Sequence, residues 1–351
     1  MNKIRVLNSN DIEKNLNIKD AVIAVEEAYV LNSQKEVKLF DTVFYDFESG
    51  KADMDIKSGT IDKAGIYGFK LMSWFGDNIN KGLSTLMGNI MLYDRITGAP
   101  IALLDGTSIT GMRTGAAGAI ATKYLSRSDS EEILIVGAGN QAPYQIAAVL
   151  MLMENIKRVT IYDPLSYDSA VKFSNNIKDR LFKDFLSKFE DDSNMYEKLK
   201  KKYDIEFIPE LNIEKAVNRA DIIITVTPSK KPIIKKEWVK PGTHFTCMGS
   251  DMEGKQEIDE NIFPISRVFV DDIEKTSRVG EMEIAIKKGL FSKADIVCEI
   301  GQVISGKNKG RISKDEITIF DASGLAAQDL ITAKVLLDKA NKLDIGTVIE
   351  L

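Results

Sequence analysis

The chain has few of the residues on which many sites are built. Its 351 residues include one histidine, His244, and two cysteines, Cys247 and Cys298. A single histidine excludes a metal site with several histidine ligands, and we expect no bound metal. Two cysteines in apolar surroundings cannot form a disulfide framework and are typical of buried thiols in a reducing compartment. The sequence therefore predicts a cytoplasmic protein.

Long apolar runs and an excess of basic residues are also missing. No apolar run approaches the roughly 18 residues that a spanning helix needs, and charges interrupt the N-terminal segment, so neither a membrane span nor a signal peptide is expected. The 47 lysines and arginines face 52 aspartates and glutamates, which gives a net charge of −5. This balance argues against nucleic acid as a partner. A chain of 351 residues is longer than one hydrophobic core usually organises, which indicates two domains.

The pattern of apolar residues changes along the chain. Residues 1–127 indicate a helix near 10–31 and several extended segments, with a hairpin turn at 94–98, as in an antiparallel sheet. From Glu132 onward, short apolar runs alternate with helices, which is typical of a doubly wound parallel sheet. A longer, charged stretch at 176–202 is interpreted as an insertion with a solvated face, broken near 191–194. The last helix is expected at 326–342.

These patterns predict an α/β protein of two domains. An α+β domain would comprise residues 1–127 and 319–351. A Rossmann-like domain with a doubly wound parallel sheet would comprise residues 128–318.

A nucleotide-binding fingerprint follows the first strand of the second domain. The segment GAGNQA at 137–142 has the G-x-G-x-x-A pattern and opens a helix. Gly137 would permit the tight turn, and Gly139 would let the backbone approach a pyrophosphate, with Asn140 and Gln141 beside it. Asp163 ends the next strand, where a carboxylate binds the ribose hydroxyls and repels a 2′-phosphate, which favours NAD over NADP. Thr225 and Thr227 follow another strand and are further candidates for cofactor binding, with a plain loop as the alternative.

Several longer motifs are shared with a known family. They are GFK at 68–70 followed by STLMG at 84–88, TGMRTGAA at 110–117, the GAGNQA fingerprint, GSDMEGKQE at 249–257, and FDASGLAAQD at 320–329. Their order and spacing run through nearly the whole chain, which resembles the ornithine cyclodeaminase/mu-crystallin family. The resemblance implies that residues 1–127 and 319–351 bind the substrate and form a homodimer through the sheet of this first domain. Together with the fingerprint, it implies that residues 128–318 bind NAD. We expect the active site in the cleft between the two domains.

The resemblance also implies roles for individual residues. Lys70 and Arg113 would hold the substrate's carboxylate, one as a point charge and the other as a planar fork, with the hydroxyl of Thr85 assisting. Asp251 would be the catalytic carboxylate that moves protons, and Lys70 would share in the chemistry. The neighbouring Ser250 and Lys255 are expected at the cofactor.

Two positions keep alternatives open. Asp321 either lies near the nicotinamide, which we prefer, or caps the following helix. His244, which lies in an apolar strand, is interpreted as a satisfied core residue rather than a catalyst.

One departure from the family concerns the substrate. Many members have a further carboxylate-binding arginine in the first domain, whereas the segment 36–46 of this chain contains none. Lys38 could replace it less rigidly, or Asp41 and Asp46 could face a cationic group; we prefer an acidic loop without such a role.

The expected activity is an NAD-dependent reaction of amino-acid metabolism. Hydride would leave Cα of an amino acid to form an imine, with ammonia lost and the ring closed as in ornithine cyclodeaminase. The alternatives are an alanine-type amino-acid dehydrogenase, a reductase of cyclic imines, and a nicotinamide-nucleotide binding protein without turnover.

Overall fold

Residues 3–350 are described by a computed structural model whose secondary structure alternates between strands and helices. The helices are α1 (Ser9–Asn15), α2 (Ile18–Ser33), α3 (Gly106–Leu125), α4 (Ala142–Leu152), α5 (Tyr167–Arg180), α6 (Ser193–Tyr203), α7 (Ile213–Arg219), α8 (Ile273–Val279), α9 (Glu283–Lys287), α10 (Ile300–Ile304) and α11 (Ala326–Leu343). The strands of the first part are β1 (Lys3–Leu7), β2 (Val37–Leu39), β3 (Val43–Glu48), β4 (Ala52–Ile61), β5 (Ile66–Phe75), β6 (Leu86–Asp94) and β7 (Pro100–Asp105). Those that follow are β8 (Glu132–Val136), β9 (Arg158–Tyr162), β10 (Glu206–Pro209), β11 (Ile222–Thr225), β12 (Lys230–Ile234), β13 (His244–Cys247), β14 (Gln256–Ile258), β15 (Ser266–Val270), β16 (Ile296–Glu299), β17 (Ile317–Asp321) and β18 (Thr347–Glu350).

The chain divides into two compact units, Met1–Arg113 with Leu325–Leu351, and Thr114–Gly324. The borders predicted from sequence were 127/128 and 318/319. They differ because α3 begins in the first unit and runs past its border, and because β17 pairs with β13 and β15 of the second unit. The predicted cleft site between the domains stays a prediction.

The first unit is built on a mixed sheet in the order β18-β1-β7-β6-β5-β4-β2, with β3 beside β4. Only β1 and β7 pair in parallel among the described strands of this sheet, so the predicted antiparallel character holds for the rest. Helix α11 packs on α2 and on β4, β5 and β6. The helix predicted near 10–31 is two helices, because the Asn17 side chain accepts a hydrogen bond from the Asp20 amide and begins α2 there.

The second unit is built on a parallel sheet in the order β10-β9-β8-β11-β13-β17-β15-β16. From β8 the chain proceeds to β9 and β10 on one side and then to β11 and β13 on the other. Ligands of such sheets bind at the carboxyl ends of the strands where the order reverses, which here is between β8 and β11. The residues that follow these strands are those of the predicted cofactor site.

The charged segment 176–202 folds against the second unit rather than extending from it. Helix α5 continues into a π-helical turn at Leu181–Phe185, and α6 begins after Asp192, whose side chain accepts from the Met195 amide. The side chains of Leu181, Phe185 and Leu199 are buried. Within residues 3–350, no helix combines the length and apolar character needed to cross a bilayer.

Candidate functional site

Two cations and one carboxylate meet in the interior of the first unit. Lys70 lies in the middle of β5, Arg113 on α3, and Asp329 in the first turn of α11. The Asp329 Oδ1 atom accepts from Lys70 Nζ at 3.0 Å and from Arg113 Nε at 2.9 Å. All three side chains are buried. The structure therefore brings together the two residues predicted to hold a carboxylate and adds an acidic residue for which no role had been predicted.

The charges of this cluster influence one another strongly. Burial and the neighbouring Arg113 lower the pKa of Lys70 to about 8, while Asp329 acts in the opposite direction. Burial alone would raise the pKa of Asp329, but Arg113 and Lys70 outweigh it and hold that pKa below its usual value. Asp329 is thus a buried anion that pairs with both cations and favours the charged form of Lys70.

Further polar groups complete the cluster. Arg113 Nη1 donates to Gln328 Oε1 at 3.1 Å, and Lys70 Nζ donates to the Thr110 hydroxyl at 3.4 Å. Gln328 Nε2 and Asp329 Oδ2 are buried and have no hydrogen-bond partner within the described part of the chain. A donor and an acceptor without partners in a buried site are costly unless a bound group satisfies them.

A third cation lies on the same face of the sheet. Lys57 on β4 stands directly opposite Lys70 on β5, and residues opposite each other in an antiparallel ladder share a face. Its charge also lowers the pKa of Lys70. The Lys57 ammonium lies 3.8 Å from Asp55. The sequence did not point to Lys57, because its position beside Lys70 depends on the strand register.

Strand pairing also shows which of the residues considered as replacements for the missing carboxylate-binding arginine lie on the same face as Lys70. Lys38 pairs with Thr60, and strand alternation therefore points it to the face opposite Lys57 and Lys70. Asp46 pairs with Asp53, which puts both on the Lys70 face. Lys57 is thus better placed than Lys38 to act with Lys70.

Thr85, the hydroxyl predicted to assist, lies just before β6 and is half-buried. Its carbonyl accepts from the Phe75 amide at 2.8 Å. The hydroxyl that contacts Lys70 is that of Thr110 instead, from the TGMRTGAA motif. A role for Thr85 stays a prediction.

The fingerprint has the geometry that a strand-to-helix turn requires. Gly137 has φ of +110°, a backbone conformation that favours glycine. A Cβ atom on Gly139 would meet no heavy atom within 4 Å, so its surface is open to a ligand. Helix α4 then begins at Ala142 without a side-chain cap, and the Gln141 Oε1 atom is buried with no partner among residues 3–350. Asn140 lies in the same turn.

Asp163 follows β9 and closes this turn. Its Oδ2 accepts from the Ala138 amide at 3.0 Å, and its Oδ1 accepts from the amides of Leu165 and Ser166 at 3.0 and 3.1 Å. The carboxylate is therefore fixed beside the fingerprint. It retains lone pairs for further donors, such as ribose hydroxyls.

The turn after β13 carries Ser250 and Asp251. The side chain of Asp251 is exposed and accepts from Lys255 Nζ at 2.6 Å. Ser250 is buried and donates to Glu281. Asp251 is thus accessible for proton transfer, whereas Ser250 faces the interior of the second unit.

The remaining residues predicted at the cofactor are buried at the carboxyl ends of the strands. Thr225 is fully buried at the end of β11, and Thr227 is hydrogen-bonded to Glu257. Asp321 is fully buried and accepts from the amides of Glu281 and Met282. Burial raises the pKa of Asp321 to about 8. These contacts describe a structural carboxyl, and neither of the two roles considered for Asp321 follows from them.

His244 is satisfied in the core, as the sequence suggested. Its ring nitrogens lie 2.9 Å from the Thr318 hydroxyl and 3.0 Å from the Thr246 hydroxyl. Burial and the nearby Arg311 lower its pKa well below the usual value. The neutral imidazole is therefore part of the packing.

Comparison with known proteins agrees with the motifs. Residues 2–185 and 188–344 match the ornithine cyclodeaminase/mu-crystallin family. The chain belongs to this family. It is 34% identical over 345 residues to an alanine dehydrogenase of Archaeoglobus fulgidus, with 98% of each chain covered.

Solved structures of family members have the same fold. An archaeal alanine dehydrogenase, solved as a dimer with bound NAD, superposes with a TM-score of 0.87 at 34% identity, covering 99% of each chain. The Δ1-pyrroline-2-carboxylate reductase of Thermococcus litoralis, solved with NADH and L-proline, gives a TM-score of 0.86 at 30% identity, covering 98% of this chain and 99% of that one. The second unit thus has the Rossmann-like fold predicted from sequence.

Proposed function

We propose that the protein is an NAD-dependent oxidoreductase that interconverts an α-amino acid and its imine, as an amino-acid dehydrogenase or an imine reductase. The observation that carries this proposal is the buried cluster of Lys70, Arg113 and Asp329, which holds two cations ready for a carboxylate. The related alanine dehydrogenase and pyrroline-2-carboxylate reductase support this reaction class. In this proposal the first unit binds the substrate and the second binds NAD.

The second unit fits a dinucleotide. The open surface at Gly139 and the uncapped start of α4 would receive the pyrophosphate, and Asp163 would accept from the ribose hydroxyls. When bound, NAD supplies the capacity to accept or return a hydride at the substrate's Cα. We therefore propose NAD, rather than NADP, as the cofactor.

The first unit would fix the substrate by its carboxylate. Arg113 and Lys70 would share the two oxygens, and Lys57 would add a third positive charge at the same face. Asp329 keeps the Lys70 and Arg113 charges in place while retaining an unpartnered oxygen, which could accept from the substrate nitrogen. The site would thereby hold Cα in one orientation, which is the main contribution that positioning makes to such a reaction.

The charge balance favours a substrate without a cationic side chain. Asp329 is shared between two cations, and Asp55 lies beside Lys57, so neither of these two carboxylates is without a cation. The side-chain ammonium of ornithine would meet three positive charges. The cyclodeaminase activity expected from the family resemblance is therefore the second candidate.

Asp251 would move the protons. In the oxidative direction it would take a proton from the water that adds to the imine, after which the keto acid and ammonia leave. In the reductive direction the same carboxyl would protonate the nitrogen of a cyclic imine. Lys255 Nζ, 2.6 Å from the Asp251 carboxylate, would hold that side chain in position between these steps.

The test is a panel of substrates followed by NADH absorbance and ammonia release together. L-Alanine and other neutral amino acids with NAD test the dehydrogenase, Δ1-pyrroline-2-carboxylate with NADH tests the reductase, and ornithine tests the cyclodeaminase. A dehydrogenase yields NADH and ammonia in equal amounts, and a reductase consumes NADH without ammonia. Ammonia and proline from ornithine without net NADH would overturn the preference stated here.

We also propose a homodimer formed through the outer face of the first sheet. Val43, Tyr45 and Met87 share the face away from α11, and the Phe47 ring lies 5.0 Å from the Tyr45 ring; all four side chains are about half exposed. Large exposed apolar patches mark interfaces, and the related archaeal enzyme was solved as a dimer. Phe47→Glu is expected to give a monomer in light scattering, whereas a monomeric unmodified protein would contradict the proposal.

We propose the cytoplasm as the location. Cys247 and Cys298 are both buried free thiols, which agrees with a reducing compartment. Detection of the protein in an oxidising compartment by fractionation would contradict this.

A further inference from the structure

Three carboxyls are buried together at the carboxyl ends of the strands in the second unit. Glu257 lies on β14, Glu281 between α8 and α9, and Asp321 at the end of β17, and each is fully buried. Their hydrogen-bond donors within residues 3–350 are backbone amides and hydroxyls, with no lysine or arginine among them. Buried carboxyls without a cation are uncommon and need a structural or functional reason.

Glu257 joins two loops of the predicted site. Its Oε1 accepts from the Thr227 amide at 2.6 Å and from the Thr227 hydroxyl at 2.7 Å, while its Oε2 accepts from the Gly249 amide at 3.1 Å. Thr227 in turn lies close beside the fingerprint, since a Cβ atom added to Gly137 would be only 2.9 Å from the Thr227 methyl. One carboxyl therefore connects the cofactor turn to the turn that carries Asp251.

Glu281 is hydrogen-bonded to the same turn, the one that carries Ser250 and Asp251. The Ser250 hydroxyl donates to its Oε2, and the amides of Glu257 and Ile258 donate to its Oε1 at 2.6 and 2.7 Å. Asp321 accepts from the Glu281 amide at 3.0 Å. The three carboxyls thus form one continuous network beneath the residues assigned to NAD and to proton transfer.

We propose that Glu257 and Glu281 are positioning residues that set the conformation of the turn carrying Ser250 and Asp251, and that they do so only while the pair retains a proton. This inference rests on the proposed function, because it assigns the chemistry to Asp251. The pair itself does not touch the substrate and acts through the turn.

The electrostatic surroundings explain why a proton stays in the network. The titratable groups that face it are Cys247 on β13, Asp271 after β15, and Asp321, all of which are neutral or negative. Burial and the mutual repulsion of the carboxyls raise the pKa of both Glu257 and Glu281. Two lysines on neighbouring segments are hydrogen-bonded to other groups, Lys255 to Asp251 and Lys275 to the carbonyls of Ser323 and Gly324.

Hydrogen exchange of the turn tests the proposal without any substrate. The variants are Glu281→Gln, which resembles a permanently protonated carboxyl, Glu281→Ala, and the exposed control Glu237→Gln, each as the full chain. Exchange of a peptide covering 249–255, corrected for the intrinsic effect of pH, is expected to rise at least about tenfold from pH 6 to pH 9 in the unmodified protein and the control. Glu281→Gln is expected to abolish this rise, and Glu281→Ala to show fast exchange at both pH values.

Kinetics separate positioning from a merely structural role. In Glu281→Ala, kcat is expected to fall at least about tenfold. The KM for the amino acid is expected to change less than about threefold, because the proposed binding site for the substrate's carboxylate lies in the first unit. Equal exchange at both pH values in the unmodified protein, or retention of its pH response in Glu281→Gln, would overturn the proposal. If no substrate in the panel is turned over, the proposed function fails. The exchange measurement still tests whether Glu257 and Glu281 set the conformation of the turn.

Discussion

Asp329→Asn should be far more damaging than its small change in size suggests. In the native cluster, the Asp329 carboxylate lies 3.0 Å from the Lys70 ammonium and 2.9 Å from the Arg113 guanidinium. The variant leaves two buried cations next to each other with no anion. Removing one partner of a buried ion pair typically costs about 3–5 kcal/mol.

Deprotonation limits the share of that loss that comes from Lys70. Its pKa, already about 8, should fall further once Asp329 no longer favours the charged form, so the lysine would lose its proton at pH 7. Losing the proton from a native state in which this pKa is about 8 costs only about 1.4 kcal/mol at pH 7, so most of the loss comes from Arg113, which loses its carboxylate partner. We therefore expect the free energy of unfolding to drop by about 3–5 kcal/mol. Lys70→Met leaves a neutral pair of Arg113 and Asp329, and should cost only about 1 kcal/mol.

Urea unfolding at pH 7 measures both variants, with Lys63→Met at an exposed position as the control. The prediction is an asymmetry in which loss of the anion is severe and loss of one cation is mild. Were Asp329→Asn to lie within about 1 kcal/mol of the unmodified protein, or Lys70→Met to be equally damaging, the view of Asp329 as the shared counter-ion would be refuted.

Three further predictions concern the same sites. Arg113→Lys loses the planar fork of the guanidinium, so kcat/KM for the amino acid should fall about 10–100-fold. The exposed control Arg95→Lys should leave kcat/KM unchanged. A loss below about threefold in Arg113→Lys contradicts the role of Arg113 in binding the substrate carboxylate. The value of kcat/KM should fall above about pH 8 as Lys70 loses its proton. Over the same range, from pH 8 to 10.5, the free energy of unfolding relative to that of Lys70→Met should rise by up to about 3 kcal/mol, because a pKa lowered by folding favours the deprotonated native state. A kcat/KM or a relative stability that does not change with pH argues against a lowered pKa of Lys70. Asp163→Ser should weaken NAD binding at least about tenfold and narrow its preference over NADP, measured by calorimetry; unchanged discrimination would remove Asp163 from the cofactor site.

Local patterns predicted the second unit well, because its strands and turns are determined by short segments. The apolar runs, the helix at Ile213–Arg219 and the fingerprint turn with Gly137 are all encoded within a few residues. The domain borders were predicted less well, since α3 continues past the border and β17 can be assigned to the second sheet only from its pairing. Such pairing is not contained in the segment itself.

The candidate site shows the same division. Lys70 and Arg113 were predicted from motifs, and the structure brings them together. Lys57 was missed because its position opposite Lys70 is a matter of strand register. Asp329 stood in a recognised motif without a role, since its partners lie more than 200 residues away along the chain.

The most direct test of the proposed oxidoreductase activity is turnover of the unmodified protein and of Lys70→Met with NAD and neutral L-amino acids, and with NADH and Δ1-pyrroline-2-carboxylate. We expect a stoichiometric change in NADH with at least one carboxylate-bearing substrate, and a large increase in KM in the variant. Absence of turnover together with no rise in melting temperature on addition of NAD would contradict it.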